Sequence, residues 1–324
     1  MRNVRTDLAL EAHELFMEAA EEITGIELSD RSEGEIHITH VAVKDKEASQ
    51  KIGKPIGNYV TLELPDLRYI DKNLYETACK KISAEIGELL KGIDPKRPIL
   101  IIGLGNRSIT SDSLGPAVID RLMITRHLFH YAPEAVSDNL GSVCAIAPGV
   151  LGVTGIETGE IIAGVCEKVN PCAVICVDAL AARNIDRVTR TIQICDTGIN
   201  PGAGVGNNRK EISQNTLGVP VIAVGVPTVV DAATITDDTL NLVIDNLLSQ
   251  NDDNSAFFKM LKGLNPEDRF GLIKESVSKS MPNFMTTPKE IDILIDKTAE
   301  VVANGINFAL HKDITFEDID IYVS

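Results

Sequence analysis

From residue 99 to residue 226 the chain repeats one pattern. A short apolar run is followed by a polar or glycine-bearing break and then, in places, by a stretch with helical spacing. The runs are 99–104, 143–147, 173–177, 191–195 and 219–226. Continuous apolar runs of this length are how strands buried on both faces read. Helical stretches between them, at 115–128 and 158–169, predict an α/β fold with a largely parallel sheet covered on both sides.

The flanks follow other rhythms. Leu8, Leu15, Phe16 and Ala19 recur at helical spacing within 4–23, and 69–90 reads as an amphipathic helix ending near Gly92 and the Asp94-Pro95 pair. Ile36, Ile38 and His40 alternate along one strand and Val60, Leu62 and Leu64 along another, which predicts a small antiparallel pair within 36–64 flanking the sheet. Beyond Val230 the pattern is helical, at 236–250, 266–278 and 288–310, with a polar break from Asn251 to Ser255. The expected organisation is one α/β domain carrying a strand-pair appendage (36–64) and a helical C-terminal part (236–310).

Composition narrows the function. The 324 residues carry a formal charge of −16, which disfavours direct, non-specific nucleic-acid binding. Tryptophan is absent and aromatics are 4%, so the core must be Ile, Val, Leu and Ala. No apolar signal region or membrane span is visible, and the expected location is cytoplasmic. Cys79, Cys144, Cys166, Cys172, Cys176 and Cys195 sit mostly in apolar surroundings without a Cys-x-x-Cys pair. They read as small buried hydrophobes in a reducing compartment, not as disulfides or a zinc site.

The chemistry concentrates at two places. After the run 99–104 a polar loop carries a single acid, Asp112, and Gly115-Pro116 then opens a helix. The run 173–177 ends directly on Asp178. In open α/β sheets, chemistry collects beyond the carboxyl ends of strands. Two neighbouring carboxyl groups there can hold one proton between them, activate water and protonate a leaving amine. Strand-end acids also serve as turn and cap residues, and both uses stay open. Asp196 and Asp231 also follow apolar runs; Asp196 is a further cleft candidate, and Asp231 reads as structural.

Other motifs are weaker. Gly103-Leu-Gly105-Asn106 lacks the third glycine of a dinucleotide loop, and the glycine-rich run from Pro201 to Arg209 lacks a phosphate-loop ending. No cofactor is expected. Arg183 and Arg209, just past strand ends, are candidate cleft residues for an acidic substrate side chain, with surface ion pairing as the plain alternative. No Ser or Cys sits in a nucleophile elbow and the six histidines fall outside the strand-end loops, which argues against a Ser-His or Cys-His triad.

Five stretches together carry a resemblance: Ser111-Asp112-Ser-Leu-Gly-Pro116, Ala145-Ile-Ala-Pro-Gly-Val150, Val177-Asp178-Ala-Leu-Ala-Ala-Arg183, the run from Asp196 to Asn207, and the run from Leu217 to Asp231. With Thr286 to Asp292 and Gly305 to His311, they resemble the germination proteases of spore-forming Firmicutes over nearly the whole chain. The resemblance implies a three-layer α/β/α fold similar to that of hydrogenase-maturation proteases. It implies an endopeptidase that degrades small acid-soluble spore proteins during germination, in the spore core. The family's proposed catalytic aspartates fall on Asp112 and Asp178. The resemblance further implies a homotetramer made as a zymogen that trims its own N-terminus. Thr6-Asp7-Leu8-Ala9-Leu10-Glu11 resembles the family's cleavage site, so cleavage is expected between Asp7 and Leu8, with 1–7 as pro-segment and 8–324 as the peptidase domain.

Two rivals use the same residues. Related maturation proteases hold nickel between comparable carboxylates, but no nearby histidine offers the nitrogen ligand such metals favour, and no metal is expected. The other rival is a scaffold that binds spore proteins without cutting them.

Overall fold

The apolar runs pair into one sheet because alternate residues of each can be buried on opposite sides. The computed structural model describes residues 6–18, 24–93, 97–201, 210–250, 266–281 and 283–323. Arg209, the glycine-rich residues 202–208, the Asp94-Pro95 pair, residues 1–5 of the expected pro-segment and the break from Asn251 to Ser255 lie outside them.

The strands are β1 Ile26–Glu33, β2 Ile36–Val43, β3 Gly57–Glu63, β4 Ile99–Gly103, β5 Val143–Ile146, β6 Ala173–Ala182, β7 Thr191–Cys195, β8 Val221–Asp231 and β9 Met285–Thr286. They form one sheet in the order β1-β2-β3-β7-β8-β6-β4-β5, with β9 added to β8. The four strands β5, β4, β6 and β8 are mutually parallel. β7 runs antiparallel to both β8 and β3, so the sheet is mixed. The link 183–190 is too short for the crossover that a parallel return needs, and β7 therefore reverses. That reversal lets the antiparallel strands β1, β2 and β3 continue the same sheet. β1 forms the edge and is mostly exposed, with Glu27, Ser29 and Asp30 along it, a composition that discourages further pairing.

Core residues alternate between the two faces. Ile101, Ile175, Val177, Ile192 and Val224 pack with Ile82 and Ile86 of the helix Lys72–Leu89 and with Val302 and Ile306 of the helix Ile291–Leu310. Leu100, Ile102, Val174 and Cys176 pack with Ile162 of the helix Thr158–Val169. The six cysteines form no disulfide; four are buried, while Cys144 and Cys166 are half-buried. No helix among the described residues is long and apolar enough to cross a membrane.

Three sequence expectations change. The single helix over 115–128 is two short ones, Leu114–Ile119 and Arg126–Tyr131. Between them Met123 N–H donates to Asn307 Oδ1 at 2.9 Å, and Thr125 N–H donates to the Val143 carbonyl at 3.1 Å. These bonds hold the turn against the sheet, and His127 and His130 lie on the second helix. β6 does not stop at Asp178 but runs on to Ala182, because Ala179 to Ala182 pair with Val226 to Val230 of β8 across a bulge at Leu180/Ala181. The first helix begins only at Ala9, since Asp7 before it is bonded to Ala181 of β6.

Candidate active site

A cavity of about 570 Å³ lies past the carboxyl end of β4 and along the second half of β6, and Asp112 and Asp178 both line it. β4 and β6 are neighbours, with Gly103 opposite Val177. Two acids 66 positions apart in the chain thus reach one cavity from adjacent strands.

Glycine positions the first acid. Gly105 has φ +112°, and a Cβ there would stand 2.0 Å from the carbonyl oxygen of Asp112. Only a residue without a side chain lets the loop fold back so tightly. Asn106 N–H then donates to the Asp112 carbonyl at 3.0 Å and to its Oδ2 at 2.8 Å. Thr228 Oγ1 donates to the Ser111 carbonyl at 2.6 Å, tying the loop to β8. The Gly-Leu-Gly-Asn sequence therefore serves close backbone packing around Asp112. Asp112 is half-buried, whereas Asp178 is buried on β6, where its Oδ1 accepts from Ala179 N–H at 2.9 Å.

A stretch near the N-terminus forms part of the wall of the same cavity. Thr6 and Asp7 line it. Asp7 N–H donates to the Ala181 carbonyl at 3.0 Å, and Ala181 N–H donates to Asp7 Oδ2 at 2.8 Å. The segment thereby lies along the far end of β6. Lys54 Nζ donates to the carbonyls of Thr6 at 3.2 Å and Asp7 at 2.8 Å. Burial pushes the Asp7 carboxyl above the usual carboxylate range, opposed by the Lys54 charge and the Ala181 N–H. Burial pushes the Lys54 amine below its usual range, opposed first by Asp7. Leu8, fully buried, packs with Leu180, Val188 and Val230. Glu11, also buried, accepts from the N–H groups of Arg183 at 2.7 Å and Asn184 at 2.9 Å, and from the Thr6 hydroxyl.

The other candidate residues stand elsewhere. Asp196 is exposed and accepts from Asn58 N–H at 2.8 Å and Asn58 Nδ2 at 2.7 Å, joining the ends of β7 and β3; it does not line the cavity. Arg183 pairs with Asp238 at 3.5 Å and does not line it either. Asp231 accepts from Ala233 N–H at 2.9 Å at the start of the helix Ala232–Gln250, a structural use. Sequence reasoning passed over Lys54 and Gln193, both of which line the cavity. For Gln193 a signal existed: a glutamine inside an otherwise buried strand, β7, needs a hydrogen-bonding partner. Among the described residues no group of three or more His, Cys, Asp or Glu side chains could hold a metal ion.

Two acids lining one cavity, with the N-terminal segment in its wall, are parts that peptide hydrolysis can use. The comparisons with known proteins give that class: a family model described as germination protease matches residues 5–254 and 243–323. The germination protease of Clostridium tetani is 47% identical over 323 residues, covering 99% of this chain and 100% of the relative. That of Clostridium perfringens is 44% identical over 326 residues, covering all of both chains, and that of Bacillus cereus is 42% identical over 99% of this chain and 97% of its own. The protein is thus a peptidase, a hydrolase acting on peptide bonds. More specifically, the chain belongs to the germination protease family.

Proposed function

We propose that the protein is an endopeptidase that initiates degradation of small acid-soluble spore proteins in the spore core during germination. It is made as a zymogen and cuts its own Asp7–Leu8 bond. Asp112 and Asp178 activate water, one as general base and the other as acid toward the leaving amine. Similarity to hydrogenase-maturation proteases, a three-layer arrangement and a homotetramer complete the reading. The observation that carries it is the meeting of Asp112, Asp178 and the Thr6–Asp7 segment around one cavity.

Incubating the full chain with a purified small acid-soluble spore protein and weighing the fragments tests it. The expected result is cleavage after an acidic residue, together with loss of residues 1–7 from the enzyme. Asp112→Asn or Asp178→Asn should each lower the rate by at least about 10²-fold, as expected for loss of a general acid or base, with an unchanged melting temperature. Full activity in either variant would remove that residue from the mechanism. Exhaustive chelation should leave cleavage unchanged; a loss restored by a divalent cation would favour a metal-dependent hydrolase.

A further inference from the structure

The contacts around the Asp7 carbonyl are more specific than holding a peptide requires. Lys54 Nζ donates to that oxygen at 2.8 Å and Gln193 Nε2 donates to it at 3.3 Å. The other end of the same Gln193 amide accepts from Ala9 N–H at 2.6 Å. Gln193 therefore spans the Asp7–Leu8 bond, touching the backbone on both sides of it, and the bond it makes to Ala9 orients its amide hydrogens toward the Asp7 oxygen. Gln193 is buried on β7, and Lys54 directly follows Gly53, which closes the helix Lys46–Ile52 in the left-handed conformation. Gln193 stands on a strand and Lys54 in the short turn between that helix and β3, where its ammonium is held by the Thr6 and Asp7 carbonyls.

We infer that Lys54 and Gln193 are the oxyanion-stabilising donors for hydrolysis of the Asp7–Leu8 bond. The inference rests on the self-processing reading above. In the step, the water oxygen bonds to the Asp7 carbonyl carbon and its proton passes to the general base. The carbonyl π pair becomes an oxyanion on the Asp7 oxygen, where the Lys54 ammonium and the Gln193 amide meet it. Collapse re-forms the carbonyl and breaks the bond to the Leu8 nitrogen, which takes a proton from the general acid. The products are a new carboxyl group at Asp7, which gives up its proton to become a carboxylate, and an amine at Leu8, which takes up a proton to become an ammonium. An ammonium shielded from bulk water stabilises developing charge far more than a solvated one does. A peptide occupying the place of residues 6–9 would meet the same two donors.

The alternative use of Lys54 is to clamp the segment through the Asp7 carboxylate, and the two uses separate experimentally. In full-length chains, the first-order rate of Asp7–Leu8 cleavage is followed by mass spectrometry. Docking of the segment is followed independently by hydrogen exchange at the Asp7 and Ala181 amides. Lys54→Met should slow cleavage by about 10²- to 10³-fold, the usual loss on removing one oxyanion donor, with both amides still protected. Gln193→Leu should slow it about 10-fold or more, and Lys54→Arg should recover part of the rate. Melting temperatures confirm the fold, and Lys54→Gln replaces Lys54→Met if that variant unfolds. Wild-type rates in the Lys54 and Gln193 variants would overturn the assignment, as would a slowing matched by loss of amide protection. If Asp112→Asn and Asp178→Asn cut at the wild-type rate while Lys54→Met does not, the acid pair falls and the donors stand. A wild-type chain that never cuts itself overturns the self-processing reading and this assignment with it.

Discussion

Asp112 owes its position to a residue that does no chemistry. At Gly105 a side chain would collide with the Asp112 carbonyl and would also adopt a left-handed backbone, so Gly105→Ala meets both penalties. It should destabilise the protein by about 2 kcal/mol or more and, by displacing the Asp112 loop, lower cleavage further than the stability loss explains. Thermal unfolding and a cleavage assay on the same preparation check both. Asp112 and Asp178 were legible in the sequence because each follows an apolar run. The position of Asp178 within its strand was not, because Ala179 to Ala182 look equally at home in a helix. Lys54 was missed for a different reason. A lysine in a Gly-Lys-Pro turn reads as solvated, and only the fold brings its amine to the carbonyls of Thr6 and Asp7.

Among the elements, the helix Ile291–Leu310 does more than cover the sheet. Its Asn307, 1% exposed, accepts from Met123 N–H and donates Nδ2–H to the Arg121 carbonyl at 3.2 Å. Asn307→Ala would strand a buried N–H and should cost about 1–3 kcal/mol, read as a lowered unfolding midpoint. His311, just past the helix, accepts from Gly141 N–H through Nδ1 at 3.2 Å and donates Nε2–H to the Met123 carbonyl at 3.3 Å. This is the neutral ring, and burial pushes its pKa below the usual 6.5. Below pH 6.5 the unfolded chain takes up a proton that the folded chain refuses. Stability should therefore fall as pH drops through 6.5 toward the folded value, by at most about 1.4 kcal/mol per pH unit from this residue. Melting temperatures of wild type and His311→Gln between pH 7.5 and 5 test it: the variant should lose that part of the slope. The helix itself was legible from its apolar spacing. The break of 115–128 into two helices was not, since Asn307 and the Val143 carbonyl impose it from a distance.

For the whole molecule, the N-terminal segment joins regions far apart in sequence: Lys54 after a helix, Ala181 on β6 and Gln193 on β7. A chain beginning at Leu8 loses the Lys54 and Ala181 contacts to residues 6 and 7 but keeps Leu8 in its apolar pocket and Glu11 on the loop after β6. It should fold with a melting temperature within a few degrees of the full chain and cut a spore-protein substrate faster, because the cavity is open. A slower rate than that of the full chain would count against the segment's occupying the substrate's place.

The local pattern of residues was enough to establish that a parallel α/β core exists, which runs form its strands, and that two acids follow two of those runs, because apolar periodicity and chain turns are properties of neighbours. Which strands lie side by side, the reversal of β7, the contact of Lys54 with the N-terminal segment and the place of Thr6 and Asp7 in the wall of the acid-lined cavity belong to the tertiary structure alone. Each depends on contacts between residues tens to hundreds of positions apart, and no short-range pattern carries that information.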